Sequence, residues 1–312
     1  MGTPLDFCLT SWRQCLIQLG ITLVLAAALR SAATTCFPAP AGLVGWWSGD
    51  GNANDIAGTD NGALLGSATI TNAGMVGAAF SFDGTNGLVA IPDSPDLRPT
   101  NLTLEAWVLF SSLDSAGNSA AGDQYLVFKQ NSSTNWSGGS FEGFVLMKVR
   151  PANGDTFQFQ ISNPNGQTIT VGSLTTLSTG VWYHVAGVRG PNFAALYVNG
   201  QQEGWTIVNF AQDYGNWPLY FGSTGQSAWE HKLAGLLDEV SLYNRALSSD
   251  EISGIYAAGA AGKCKGVEIT VQPQSQTVPA GSDVVLSVTA SGFGLLSYQW
   301  QFNGLAIGGA VS

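Results

Sequence analysis

Asp238 stands out first among the residues able to do chemistry. In Leu236-Leu-Asp-Glu-Val-Ser-Leu242 it falls in register with Leu236, Val240 and Leu242, a row that reads as core-facing. A carboxylate in such a row needs a partner or a proton. Calcium is a natural partner, because it takes carboxylate, amide and carbonyl oxygens in flexible geometry. The loop Asp50–Gly62 is rich in those groups. A salt bridge, with Arg245 as one partner, or backbone hydrogen bonds would serve as well. The same loop opens like an EF-hand, Asp50-Gly-Asn-Ala-Asn54, but its sixth position is Asp55 rather than Gly and its twelfth is Asn61 rather than Glu. No flanking helices are predicted, so the EF-hand reading is rejected.

Two histidines are present, His184 and His231. His184 shares a strand face with Trp182, Ala186 and Val188 and reads as a packing residue. His231 lies between Glu230 and Lys232. Neither has a matching Ser or Cys motif, which argues against a nucleophilic triad. Sugar recognition would use aromatic faces with polar groups at the rim. Trp136, Trp217 and Trp229 lie in polar, Gly-rich contexts, with Tyr214 beside Trp217, and these four are the candidate ligand contacts. Packing is the alternative for each. Trp46, Trp107 and Trp182 read as core.

Charge narrows the partners. The 312 residues carry 21 acidic and 11 basic side chains, a net charge of −10. Nucleic-acid binding requires basic clusters to displace phosphate counterions, and none is present. The N-terminus reads as a signal peptide over residues 1–33, with Arg13 ahead of an apolar run from Leu16 to Leu29 and small residues Ser31, Ala32 and Ala33 at the cleavage site. No later segment is long and apolar enough to insert in a membrane once the signal is removed. Cys8 and Cys15 would leave with it. Cys36 and Cys264 then remain, and in an exported protein a lone pair reads as a disulfide, with two free thiols as the alternative.

The elements that must position these residues are short strands. Apolar runs broken by Gly, Asn, Asp, Ser and Pro predict strands at Leu43–Trp47, Leu88–Ile91, Leu102–Phe110, Tyr125–Lys129, Gly143–Arg150, Thr156–Ser162, Trp182–Arg189, Ala194–Val198, Leu219–Phe221 and Leu233–Leu242. Phe157, Phe159 and Ile161 alternate with Gln158, Gln160 and Ser162, as in an antiparallel strand wet on one face. Asn199-Gly200 predicts a hairpin turn. One helix is predicted after Ser248, with Glu251 completing a capping box and Ile252, Ile255 and Tyr256 on one face. From Val267 the texture changes to three further strand-like runs, about half of an immunoglobulin-like domain.

Several of these segments, taken in order, resemble the laminin-G-like (concanavalin A-like) jelly-roll family. They are Gly42-Leu-Val-Gly-Trp-Trp47, Ala79-Phe-Ser-Phe-Asp-Gly84, Leu104-Glu-Ala-Trp-Val108, Trp182-Tyr-His-Val-Ala186, Leu196-Tyr-Val-Asn-Gly200 and Leu237-Asp-Glu-Val-Ser-Leu-Tyr-Asn-Arg-Ala-Leu247. The likeness runs from Gly42 to Tyr256. Ser297-Tyr-Gln-Trp300 and its surroundings are similar to bacterial immunoglobulin-like repeats. The resemblance implies an all-β, two-sheet antiparallel jelly-roll sandwich over residues 36–264 with one short C-terminal helix, and a partial immunoglobulin-like sandwich over 267–312. It also implies a structural calcium between the first loop and the last strand, with Asp55, Asn61 and Asp238 as ligands.

Enzymes share this fold, so hydrolysis has to be weighed. Laminarinase-like relatives place carboxylates on one strand face as Glu-x-Asp-x-x-Glu, and this sequence has no such run. The expectation is therefore a secreted or surface-bound, non-catalytic module for adhesion or binding, with a glycan or a surface protein as partner. A structural spacer of a larger surface protein, or an accessory domain of an enzyme whose catalytic part lies elsewhere, are the alternatives.

Overall fold

The computed structural model describes residues 36–115, 122–131, 141–226, 230–266 and parts of 268–307. Trp136 and Trp229 lie outside the described residues. Period-two alternation builds two antiparallel sheets. The first has eight strands in the order β13 (Gln201–Ile207), β12 (Phe193–Val198), β11 (Trp182–Arg189), β6 (Leu102–Phe110), β15 (Ala234–Tyr243), β4 (Ala79–Asp83) and β3 (Thr69–Thr71), with β1 (Leu43–Trp47) also paired to β15. The second has seven, in the order β10 (Thr168–Gly172), β9 (Thr156–Ser162), β8 (Gly143–Val149), β7 (Gln124–Gln130), β14 (Leu219–Phe221), β5 (Leu88–Ile91) and β2 (Ala63–Leu65). This is the expected jelly-roll sandwich.

The strand β6 shows how the layers form. Leu104, Ala106, Val108 and Phe110 point between the sheets and join one continuous core with Phe157, Phe159, Leu196, Phe221 and Val240. Thr103, Glu105 and Trp107 alternate with them and take the other face, yet they too are buried. They are covered because α1 (Ser249–Ala258) lies over that face, where Ile252 and Ile255 cluster with Ala186, Val188, Ala195, Tyr197 and Tyr243. The predicted capping box is present: the Ser248 hydroxyl accepts from the Glu251 N–H at 3.2 Å and the Glu251 carboxylate accepts from the Ser248 N–H at 2.8 Å. In the core, Gly187 lets β11 approach the Phe159 ring, which an added Cβ would meet at 2.4 Å.

Two expectations need correction. Asp238 is not on the core row. Glu239 adopts a left-handed φ of 57°, and the β15–β6 register shifts between Asp238 and Ser241. The extra residue of this bulge flips the alternation. Leu237, Val240 and Leu242 face the core, while Asp238 pairs across from Trp107. The tryptophans shift likewise: Trp47 belongs to the inter-sheet core, Trp46 and Trp107 are buried outside it, and Trp182 is only half-buried.

The predicted Asn199-Gly200 turn has positive φ at both residues, 50° and 76°, as a two-residue hairpin requires. It leads into β13, a strand the sequence pattern did not announce. Cys36 and Cys264 form a disulfide. Beside it the Phe37 N–H donates to the Gly262 carbonyl and the Cys264 N–H to the Phe37 carbonyl, both at 2.9 Å. Among described residues after 267, Glu268–Val271 pairs with Thr289–Ser291 and Gln301–Phe302 with Leu305–Ala306.

Candidate functional site

Four connections meet at one end of the sandwich: the approach to β6, the β11–β12 turn, the β9–β10 turn and the segment that leaves β13. They border two adjoining open hollows of about 500 and 250 Å³ that share Asn209, Phe210 and Ala211. Thr100, Asn101, Arg189 and Pro191 wall the larger. Asn163, Asn165, Gln167 and Asp213 wall the smaller.

Hydrogen bonds fix this frame. The Val208 N–H donates to the Asn192 carbonyl at 2.9 Å. Arg189 Nη2 donates to the Phe210 carbonyl at 2.7 Å, and Nη1 reaches the Gly190 carbonyl at 2.7 Å and Asn101 Oδ1 at 3.2 Å. Gln212 Nε2 bridges to the Gly143 and Ser162 carbonyls at 3.1 and 3.0 Å. In the β9–β10 turn, Asn163 Oδ1 accepts from the Asn165 and Gln167 N–H groups at 3.1 and 3.2 Å, an Asx-type turn. The groove therefore offers several amides and a partly exposed Phe210 on a rigid base, the mixture that orients a hydroxyl-rich ligand.

Tyr214 and Trp217 are both partly buried. The Tyr214 hydroxyl donates to the Pro99 carbonyl at 2.8 Å, and its ring packs edge-on to Phe144 at 6.0 Å. Burial raises its pKa. It anchors the segment that carries the groove. Trp217 is half-buried, and its carbonyl accepts from Lys129 Nζ at 2.8 Å. Among the described residues the exposed tryptophan is Trp205 on β13, 55% accessible and stacked on Phe193 at 6.5 Å. Its signal was the alternation Glu203, Trp205, Ile207 after a hairpin turn, hidden by the polar Gln201-Gln202 start.

The candidate metal ligands fall into two groups. Asp55 Oδ1 accepts from the Trp46 and Ala57 N–H groups at 2.8 and 2.9 Å, and Oδ2 from the Asp60 N–H at 3.2 Å. Asn61 Oδ1 accepts from the Asp55 N–H at 3.0 Å. Both hold the first loop in shape. Asp238 is fully buried; its Oδ2 accepts from the Val76 N–H at 2.9 Å, and Oδ1 has no hydrogen-bond partner among the described residues. Burial pushes its pKa up to about 8, with Glu239 and Asp50 adding to the rise against the Val76 N–H and Lys265. Arg245 is not its partner, being paired with Glu251 at 2.5 Å. Lys265 Nζ bridges Asp50 at 2.5 Å and Glu239 at 2.7 Å. Asp238 has an orphaned buried oxygen that suits a cation, whereas Asp55 accepts from three N–H groups and Asn61 from one. Among the described residues no group of three or more His, Cys, Asp or Glu side chains is arranged to hold a metal.

His184 is a packed histidine, as expected. It is buried beside Trp107, with Nε2 at 3.0 Å from Glu105. Lys263 Nζ lies 2.7 Å from the other Glu105 oxygen and 4.7 Å over the Trp46 ring. Burial opposes ionisation of Glu105, but the Lys263 charge and the His184 contact outweigh it and bring its pKa to about 2. His231 is buried against the Tyr125 ring at 4.9 Å, and burial lowers its pKa.

The two antiparallel sheets form a jelly-roll sandwich of the lectin-like kind. The profile described as the concanavalin A-like lectin/glucanases superfamily matches residues 83–253, and the chain belongs to that family. Among solved structures it is similar to domain 4 of AbnA, an extracellular arabinanase from Geobacillus stearothermophilus in complex with arabinotriose, at 17% identity and TM-score 0.52, covering 68% of this chain and 96% of that one. It is also similar to the binding domain of Paraclostridial Mosquitocidal Protein 1 (16%, TM-score 0.53, covering 69% and 52%) and of botulinum neurotoxin serotype D (12%, TM-score 0.53, covering 80% and 63%). The chain thus spans nearly all of the first and about half to two thirds of the toxin domains. These likenesses show the fold, and the two toxin structures are of binding domains. No curated protein matches the sequence. No helix among the described residues is long and apolar enough to cross a membrane.

Proposed function

We propose that this chain is an exported, non-catalytic glycan-binding module whose saccharide seat is the groove shared by Asn209, Phe210 and Ala211. The observation that carries this reading is the union of amides, one arginine and a partly exposed phenylalanine on a hydrogen-bonded frame at the sandwich end. Two similar structures, at low identity, were determined with saccharides: the arabinanase domain with arabinotriose and a botulinum neurotoxin DC binding domain with SialylT. Glycoside hydrolysis needs two opposed carboxyl groups, whereas Asp213 is the carboxylate on the described walls. A leader over residues 1–33, the 36–264 sandwich and an immunoglobulin-like segment over 267–312 complete the proposed organisation. Glycan-array binding followed by calorimetry tests it: Asn209→Ala should weaken the best saccharide about tenfold with little change in melting temperature. Unchanged affinity would exclude this groove.

A structural calcium is a second proposal, supported by the orphaned oxygen of Asp238. Asp238 would be a ligand, Asp50 the first-loop carboxylate beside it, and Asp55 and Asn61 the residues that shape that loop. The ion would neutralise the buried carboxylate. Calcium at a hundred times its Kd would then add about 2.7 kcal/mol to stability. Calorimetric melting with calcium or chelator should show a shift in the wild type and none in Asp238→Asn.

A further inference from the structure

Arg189 occupies an unusual electrostatic position. It is 2% exposed and lines the larger hollow. Every other described lysine or arginine has a carboxylate partner within salt-bridge distance. Arg189 has none among the described residues. Its Nη atoms donate to the Gly190 and Phe210 carbonyls and to Asn101 Oδ1, all neutral, while Nε has no acceptor. A buried charge met only by dipoles retains a large desolvation penalty. In a chain with 21 acidic residues a carboxylate partner was readily available, yet Asn101 and Asn209 stand on the walls of this hollow. Asp213 lines the smaller hollow and not the one that Arg189 lines.

Resting on the glycan-binding reading, we propose that the Arg189 hollow receives the anionic substituent of an acidic saccharide. The neutral ring hydroxyls then fall toward Asn165 and Asp213, whose amide and carboxylate oxygens accept from them. The shared ligand chemistry is a sugar bearing a carboxylate or a sulfate ester. A charge-assisted contact to guanidinium in a partly desolvated hollow discriminates strongly against the neutral analogue.

The test is an array and calorimetric titration of matched pairs: oligogalacturonate against α-1,4-galacto-oligosaccharide, and sulfated against unsulfated galacto-oligosaccharide. An acidic member should bind about tenfold or more tightly than its neutral counterpart at low salt, with that advantage shrinking as salt rises. The pair that shows the advantage identifies carboxylate or sulfate. Arg189→Gln should bring the ratio of acidic to neutral affinity to about one, whatever it does to binding of the neutral members. Because Arg189 also ties loops together, Asn209→Asp is the second variant: it keeps those ties, places a negative charge on the same wall and should abolish the advantage too. Neutral members bound as tightly as acidic ones would overturn the role of Arg189 and leave the glycan reading standing. An acid preference that survives Asn209→Asp would overturn the assignment to this hollow. Binding of no member of either pair would overturn both readings.

Discussion

The Glu105–Lys263 pair is fully buried and joins the centre of a sheet to the chain segment beside Cys264. Removing one partner of such a pair leaves an uncompensated charge and costs about 3–5 kcal/mol. Lys263→Met should therefore destabilise the sandwich by that order in urea unfolding. Glu105 also sets an acid limit. A carboxylate held below its ordinary value of 4.5 stabilises the fold at all pH values above that, and the contribution fades as pH falls from 4.5 toward about 2. Stability of the wild type should drop in that window, and in Lys263→Met the drop should begin at higher pH. Thermal melts across pH 2–7 would show it. The sequence marked Asp238 as a carboxylate in need of a partner by placing it on the wrong row; it is buried, and its Oδ1 has no hydrogen-bond partner among the described residues. The sequence could not show the bulge at Glu239, because a left-handed Glu leaves no trace in hydropathy. Nor could it distinguish Tyr214 as an anchor from Tyr214 as a platform, since both need the same residue in the same polar loop.

Strands were legible where burial is one-sided or complete. Trp182–Arg189 and Thr156–Ser162 have the bounds their patterns implied. The short strands Ala63–Leu65 and Thr69–Thr71 were not, because three residues at a sheet edge carry too little alternation to register. Edge strand β13 was missed because its polar Gln201-Gln202 start hides the alternation that follows, and with it Trp205. The helix was legible through its cap. Ser248→Ala should cost about 1 kcal/mol through loss of the N-terminal hydrogen bond, measurable as a shift in urea midpoint. A substitution at Gly187 should cost more. Gly187→Val puts a branched side chain where an added Cβ already lies 2.4 Å from the Phe159 ring, and should destabilise by about 1–3 kcal/mol or more. The groove itself was invisible to sequence reasoning, because its walls come from connections far apart in the chain that only the sandwich brings together.

On the scale of the whole molecule, the Cys36–Cys264 bond closes a loop with sequence separation 228 around the sandwich. Chain entropy then gives an upper contribution of about 5 kcal/mol. The double variant Cys36→Ser/Cys264→Ser should lose up to that amount. Part of the loss should come from the Lys263 and Lys265 contacts on either side of Cys264. Saccharide affinity should survive at temperatures where the variant stays folded, because the groove is formed by other connections.

The central claim is that the groove around residues 208–213 binds saccharide. Amide hydrogen exchange of the full chain with and without its best-bound glycan reads this directly. Protection concentrated at residues 99–101, 163–167, 189–192 and 208–213 is the expected result. Protection confined to another face of the sandwich, with these four segments unchanged at saturation, would contradict it.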